Sequence, residues 1–563
     1  MDKVEHNSSP GFEGFKDLAS QFTVVPVWRE LLADAITPVD AFRLLVGEKD
    51  GFLLESADHS GKFGQYSFVG RSPAATIISR SDTVEIIADE LPSVTRLNNG
   101  VLNCLDELLA KFKSPTIEGL PPLQGGIVGY LGYDVIREVE KLPPEKADGR
   151  NLPNAVLSII GELAAFDHHH SKLILIDNVL MPSPVTPISK VTSSSAGMYL
   201  GQENTSSLNE NWLRAAYNTA EDHLDGLQYD LEKSAPYPLS NPPNRNASLS
   251  EEYIHRVMSS ATYQEAVKKA KEYIKAGDAF QIVISQRFDI DLDVDPFDVY
   301  RVLRQVNPSP YMYFLRQGGV TIVGASPESL VKLNGGRVIS RPIAGTRRRG
   351  ANAGEDQQLI EDLLNDPKEK AEHVMLLDLA RNDLGRIVNF GTEQVEEEMT
   401  IEYYSHVLHM TSQVSGQLKE NLTPIDVLRA TIPAGTVSGA PKVRAMEIID
   451  ELESSKRGPY AGVIGYIDFS GNLDTAIAIR TLVVAQDGSA SVQAGAGIVA
   501  DSVPETEDLE CMAKAQAIFS AVAGAKAIAK DKANSANSVA PGRHLGADNA
   551  ALEDPDLVTE IKK

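Results

Sequence analysis

Four glutamates in two matched settings are the first residues whose spacing could do chemistry. Glu369 and Glu372 stand at i and i+3 in Asp366-Pro367-Lys368-Glu369-Lys370-Ala371-Glu372-His373, ahead of an apolar run over 374–379. Glu507 and Glu510 repeat the spacing ahead of 511–519. That interval puts both carboxylates on one helix face. Two such helices facing each other would hold a hard divalent cation, and Mg²⁺ takes few carboxylates and leaves room for water and an anionic substrate. Helix capping competes with this reading. Asp366 suits an N-cap, Pro367 the first helical position and Glu369 the third residue of a capping box, and acid in a first turn complements the helix dipole. For either pair alone capping is the stronger reading, but it leaves Glu372 and Glu510, further into their helices, less well explained.

Arg480 is the second signal. It follows Thr475-Ala476-Ile477-Ala478-Ile479 and precedes Thr481-Leu482-Val483-Val484, and an arginine inside an apolar strand is costly unless paired. Its planar fork suits a carboxylate, although an internal salt bridge explains it equally well. Lys514 lies four residues after Glu510 and could be its i,i+4 partner or a further anion contact. Glycine-rich turns are expected at Ile343-Ala344-Gly345-Thr346, Gly435-Thr436 and Gly495-Ala496-Gly497, where free N–H groups suit a carboxylate. His409, in the apolar Val407-Leu408-His409-Met410-Thr411, reads first as a buried structural histidine and second as a general base near neutral pH. Together these residues imply a Mg²⁺-assisted site for a small polycarboxylate.

The elements that must position them fall into two patterned blocks, 16–180 and 251–525. The first ends in a hairpin, 156–166 with 173–180, turning at 167–171. The second opens with a helix over 263–276 and a strand over 279–288. It closes with strands over 460–469, 475–484 and 491–494, then a helix from Glu507. Strands outnumber a regular βαβ rhythm, so the expected class is α+β. Residues 1–15 are polar. Residues 181–250, rich in Ser, Pro and Asn, read as a linker or insertion carrying a helical pattern over 212–224, and 526–563 as a disordered tail.

Of the 563 residues, 53 are Lys or Arg and 78 Asp or Glu, a net charge of −25. That excess argues against nucleic acid, whose phosphates need a basic face, and against an anionic membrane surface. No run of 18 apolar residues and no leader-like N-terminus is seen, so a soluble, cytoplasmic protein is expected. Its two cysteines, Cys104 and Cys511, do not suggest a disulfide framework or a zinc site. Three motifs fail. Gly435–Lys442 lacks the Gly-Lys-Ser/Thr ending of a phosphate loop. Gly495-Ala496-Gly497-Ile498-Val499-Ala500 matches a dinucleotide fingerprint without its βαβ setting. His168-His169-His170 reads as a solvated turn.

Four segments nevertheless resemble a known family in order: Arg341-Pro342-Ile343-Ala344-Gly345-Thr346-Arg347, the run from Ala371 to Asp383, Gly435 to Lys442, and Gln493-Ala494-Gly495-Ala496-Gly497. The sequence is similar to the chorismate-utilising enzymes, and within them to the large subunit of anthranilate synthases. The similarity spans most of 20–180 and all of 251–525. It implies a layered sandwich of β-sheets flanked by helices, with an N-terminal regulatory block on a catalytic block. It also implies conversion of chorismate and ammonia to anthranilate and pyruvate with Mg²⁺. On that resemblance Glu372 and Glu510 contact the metal, with Glu369 and Glu507 supporting through water. Arg480, Tyr460 and the Gly495, Ala496 and Gly497 amides bind the enolpyruvyl carboxylate, and Lys514 lies near the metal and the ring carboxylate. Gly345 and Thr346 line the ring side, and Thr436 contacts substrate. Glu328 is the acid for departure of the ring hydroxyl, and His409 assists elimination of pyruvate. Gln281, where water-adding relatives carry a lysine base, disfavours isochorismate and salicylate synthases. Ala344, where aminodeoxychorismate synthases carry a lysine nucleophile, favours direct attack by ammonia.

Neither cysteine has the setting of a glutaminase nucleophile, so a separate glutamine amidotransferase subunit is expected to supply the ammonia. The resemblance also makes Leu54-Glu55-Ser56 and Asn307-Pro308-Ser309-Pro310-Tyr311-Met312 a feedback site for L-tryptophan. On spacing alone they are a strand end and a proline-rich turn. An aminodeoxychorismate synthase large chain and a non-catalytic tryptophan-sensing subunit are the alternatives.

Overall fold

In the computed structural model the described residues are 8–57, 64–81, 83–88, 95–97, 99–147, 149–181, 209–234, 241–244, 247–404 and 407–538. Two 12-stranded antiparallel sheets lie at the centre. In the first, the strands Val24–Leu32, Lys172–Leu180, Glu162–Asp167, Tyr66–Arg71 and Gly51–Glu55 continue into Tyr311–Gln317, Val320–Ser326, Thr481–Val484, Ala490–Ile498, Gln281–Ile290 and Ile254–Arg256. In the second, strands from Ile343–Arg348 through Val463–Asp468 continue into Gly126–Leu131, Ala155–Ile159 and Ala75–Arg80. The α+β class and the layered sandwich are as expected. The two sequence blocks meet edge to edge in both sheets: Glu55 pairs with Met312, and Leu131 with Val463.

Three apolar clusters explain the layering. Phe52, Phe68, Ile78, Val128, Tyr313, Leu315, Ile464 and Tyr466 fill the space between the sheets. The outer face of the first sheet is covered by helices including Glu210–Leu231, Ser260–Ala276, Pro296–Val306 and Pro504–Ser538. Helices Val101–Lys111, Pro367–Gly385 and Pro424–Thr431 cover the second. Burying both faces of each sheet removes the need for a polar side, so the strands read as nearly continuous apolar runs.

Local signals place several elements where expected. Ser259 caps the helix Ser260–Ala276 by accepting from Thr262 N, and Gly277 ends it in the left-handed region. Asp366 accepts from Lys368 N and Glu369 N, so the capping reading of this terminus is correct. Three expectations need correction. The span 156–166 is two strands, Ala155–Ile159 and Glu162–Asp167, in different sheets. The span 475–484 likewise breaks into Leu473–Ile477 in the second sheet and Thr481–Val484 in the first. A chain passing between two buried sheets stays apolar throughout, so hydropathy carries no mark of the break. Third, helix Phe12–Ala19 begins inside the polar start, with Phe15 buried, and the C-terminal helix runs on to Ser538. The helical pattern over 212–224 lies within Glu210–Leu231; most of the remaining 181–250 and all of 539–563 lie outside the described residues.

Candidate active site

The break between the two C-terminal strands puts Arg480 at the crossing from one sheet to the other. Its φ of 51° is in the left-handed region, a strained conformation for a residue with a side chain. Arg480 is therefore outside any strand, which corrects the sequence expectation, and the residue is half-buried. Nη1 donates to Asn307 Oδ1 at 3.4 Å. Among the described residues no carboxylate lies within ion-pair distance of it. Desolvation pulls its pKa down, opposed by the charge of Glu328.

Glu328 follows the strand Val320–Ser326. Thr436, in the short helical turn Gly435–Val437, donates Oγ1 to Glu328 Oε1 at 2.8 Å. The residue retains some contact with solvent, but its carboxyl is enclosed by protein. Desolvation raises its pKa to about 7, against the lowering influence of the Thr436 hydrogen bond, Lys514 and Arg480. A carboxylic acid so placed holds a proton near neutrality and can give it to a leaving group.

His409 lies on the strand Val407–Gln417, paired in register with Thr346 of Ile343–Arg348. Thr346 Oγ1 and His409 Nδ1 are 2.9 Å apart. Burial first, and the charge of Arg480 second, lower the histidine pKa to about 4. The imidazole is therefore neutral at working pH and a weaker base than the sequence suggested. Gly345, beside it, has φ 78° at a β-bulge and lies against Glu369: a Cβ there would come within 3.3 Å of Glu369 Oε2.

The two acidic helices face each other. His373, fully buried, hydrogen-bonds Ser412 at 2.6 Å and fixes the rotation of Pro367–Gly385 against the second sheet. Glu372 is half-buried, and its pKa is raised by desolvation and by the negative charges of Glu369 and Glu510. Glu507 is raised by desolvation and by Glu510. Glu510 pairs with Lys514 at 2.8 Å, so the i,i+4 reading of Lys514 holds, while Glu369 does not close a capping box as expected and pairs with Arg347 at 2.8 Å instead. Among the described residues no three His, Cys, Asp or Glu side chains gather tightly enough to form a closed metal site. The negative charges of Glu369 and Glu510 acting on Glu372, and of Glu510 acting on Glu507, nevertheless mark a place short of positive charge. One or two carboxylates with water and substrate meet the needs of Mg²⁺, so the residues fit that ion.

Lys514 Nζ also donates to Gly495 O at 2.9 Å. Gly495, Ala496 and Gly497 sit within the strand Ala490–Ile498, not in a turn as expected. The neighbouring strand pairs this one only along Ala490–Val492, which leaves its far edge without a strand partner beside the three residues. A Cβ on Gly495 would fall 2.8 Å from the Tyr460 hydroxyl, so glycine permits that close approach. Of the expected turns, Gly435–Thr436 is one, while Gly345 is a bulge within a strand. Contacts and charge interactions thus link Thr436, Glu328, Arg480, His409, Thr346, Gly345, Glu369, Glu372, Glu510, Lys514 and Gly495 in succession.

The expected regulatory segments divide. Leu54, Glu55, Ser56, Pro310, Tyr311 and Met312 line one cavity of about 430 Å³, a size that suits a small ligand. Asn307, Pro308 and Ser309 are not in its wall; Asn307 turns to Arg480 instead. The Glu55 carboxylate is already engaged by Tyr300 OH at 2.5 Å and Arg304 Nε at 2.9 Å. Burial pushes the thiols of Cys104 and Cys511 up to about 12 and about 11, where neither is a nucleophile at neutral pH. Sequence reasoning passed over Arg457 and Glu453, a buried pair behind Thr436. An acid and an arginine at i and i+4 look the same on any solvated helix.

Comparison with known proteins identifies the family. A family described as chorismate binding enzyme matches residues 50–520. Anthranilate synthase component 1 of Acetivibrio thermocellus is 41% identical, over 91% of this chain and 98% of that protein. The protein of the same name from Mycolicibacterium smegmatis is 42% identical over 92% and 94%. The solved anthranilate synthase component I of Streptococcus pneumoniae superimposes with TM-score 0.67 at 34% identity, covering 87% of this chain and 99% of that one. The menaquinone-specific isochorismate synthase of Escherichia coli, at 17% identity and TM-score 0.62, shares the fold alone. No helix among the described residues is long and apolar enough to cross a membrane. The chain belongs to the chorismate binding enzyme family, among its anthranilate synthase component 1 members.

Proposed function

We propose that this chain converts chorismate and ammonia to anthranilate, pyruvate and water, with tryptophan as feedback inhibitor. The observation that carries the chemistry is Glu328: an enclosed carboxyl at about 7, hydrogen-bonded by Thr436 and facing the cations of Arg480 and Lys514.

Arg480 and the strand edge at Gly495–Gly497 that the neighbouring strand leaves unpaired would hold the enolpyruvyl carboxylate, Tyr460 packing behind them. Holding both ends of the substrate fixes the bonds that break. Glu328 would protonate the departing ring hydroxyl as ammonia adds. His409 would then take the proton from the carbon bearing the new amino group, and the enolpyruvyl group would leave to give pyruvate and the aromatic ring. A bound carboxylate offsets the Arg480 charge that depresses His409, so substrate would strengthen this base. Glu372 and Glu510 would hold Mg²⁺, with Glu369 and Glu507 through water. The ion would supply a positive anchor for the ring carboxylate. With both thiols inert, ammonia would come from a separate glutamine amidotransferase subunit, and the reading includes a cytoplasmic location.

The test is anthranilate fluorescence from purified chain, chorismate, Mg²⁺ and ammonium, with and without tryptophan. Mg²⁺-dependent product suppressed by tryptophan supports the whole reading. An amino adduct that keeps its pyruvyl group moves the chain to the aminodeoxychorismate reaction, and no consumption of chorismate leaves a sensing role.

A further inference from the structure

Arg457 is among the largest fully buried side chains, 2% exposed, and Glu453 beside it is 5% exposed. Arg457 gives Nε and Nη2 to the two Glu453 oxygens at 3.0 and 2.6 Å. Its remaining fork reaches two carbonyls on different elements, Val437 O at 2.7 Å and Val283 O at 2.8 Å. Its guanidinium lies between the rings of Tyr133 and Tyr460, 4.6 and 5.5 Å from their centroids. Glu453 Oε1 accepts from both the backbone N–H and the hydroxyl of Ser285 at 2.8 Å. The Ser285 hydroxyl in turn accepts from Gln493 Nε2 at 2.9 Å.

These bonds meet at the two elements that carry substrate-facing groups and at the strand Gln281–Ile290 beside them. Val437 follows Thr436, the partner of Glu328. Val283 and Ser285 lie on the strand that pairs with Gly495–Gly497, and Gln493 is two residues before Gly495. Tyr460 stands under Gly495. A buried ion pair adds little net stability, because desolvation cancels most of the attraction. An arginine fork instead fixes direction at several acceptors at once.

We propose that Arg457 and Glu453 are a positioning pair that sets Thr436 and Glu328 at a fixed distance from the Gly495–Gly497 edge. This rests on the reading of Glu328 as the acid. Arg457 holds the Thr436 turn, and Glu453, through Ser285 and Gln493, holds the carboxylate-binding strand. The two halves therefore have separable signatures.

The experiment measures kcat, KM for chorismate and the alkaline limb of the pH profile at constant free ammonia, for wild type, Arg457→Lys, Ser285→Ala and Glu328→Gln. Arg457→Lys keeps the charge and loses the fork. It lowers kcat, on the order of 10²-fold for a misplaced reacting group. It also moves the alkaline limb to higher pH, since the Thr436 bond that lowers the Glu328 pKa is loosened. Ser285→Ala raises KM and leaves the limb in place. A folded Arg457→Lys protein whose limb does not move overturns the proposal. If that variant does not fold, Ser285→Ala decides, and an unchanged KM overturns it. A Glu328→Gln profile that keeps the wild-type limb removes the acid reading itself, a result distinct from either.

Discussion

Around Glu328 the charges of Arg480, Glu328 and Glu372 bear on their neighbours without closing into ion pairs among the described residues, whereas around the 430 Å³ cavity the charged groups are closed. Among the described residues Arg480 faces Glu328 and His409 with only an amide oxygen as hydrogen-bond partner. Glu372 is crowded by Glu369 and Glu510. At the cavity, Glu55 is taken by Tyr300 and Arg304, and Asp474 by Lys332 and Tyr311. Unclosed charge is costly in itself and is offset by a charged ligand, so the first region is suited to bind and change charge. The second offers shape and apolar walls, so it is suited to hold a ligand unchanged. The segment from Asn307 to Met312 touches both, with Asn307 on Arg480 and Pro310, Tyr311 and Met312 on the cavity.

The contrast can be broken by removing one carboxylate from the crowded set. Glu507→Gln should weaken Mg²⁺ roughly 10–100-fold, the usual range for a group that supports a metal ligand, read from Mg²⁺ titrations of activity and by calorimetry. An unchanged Mg²⁺ requirement would mean that the facing acids only cap their helices. A smaller effect is expected at the cavity. Pro310→Ala removes part of an apolar wall and should weaken tryptophan inhibition about tenfold, or ~1.4 kcal/mol, with kcat unchanged. Loss of kcat with normal inhibition would place Pro310 in the catalytic region instead. Smallest of all, Asp366→Ala removes a helix cap and a contact to Arg347 and should lower the denaturation midpoint slightly, with kcat nearly intact.

What could be read in the sequence follows the range of the forces involved. The Asp366 cap and the 167–171 hairpin turn depend on neighbours within four residues, and each is found. The glutamate pairs were legible as a spacing, but their facing one another depends on two helices distant in sequence. The strand breaks at 160–161 and 478–480 were hidden because both sheets bury both faces. Arg480 was singled out for the right reason, an unmatched charge in apolar surroundings, yet its place between strands needed the sheet assignments. Arg457 escaped because its four acceptors are on Glu453 and on the distant Val283 and Val437.

The central claim is that Glu328 acts in its protonated form. Its pKa is raised above the ordinary carboxylate value, so the active form is present below about 7 and is lost as pH rises through that value. The most direct measurement is kcat/KM for chorismate against pH at constant free ammonia, which reports the free enzyme. The account expects an alkaline limb near 7 in the wild-type chain. In Glu328→Gln it expects a rate roughly 10²–10⁴-fold lower with that limb gone. A Glu328→Gln chain with wild-type rate, or with the same limb, would contradict it.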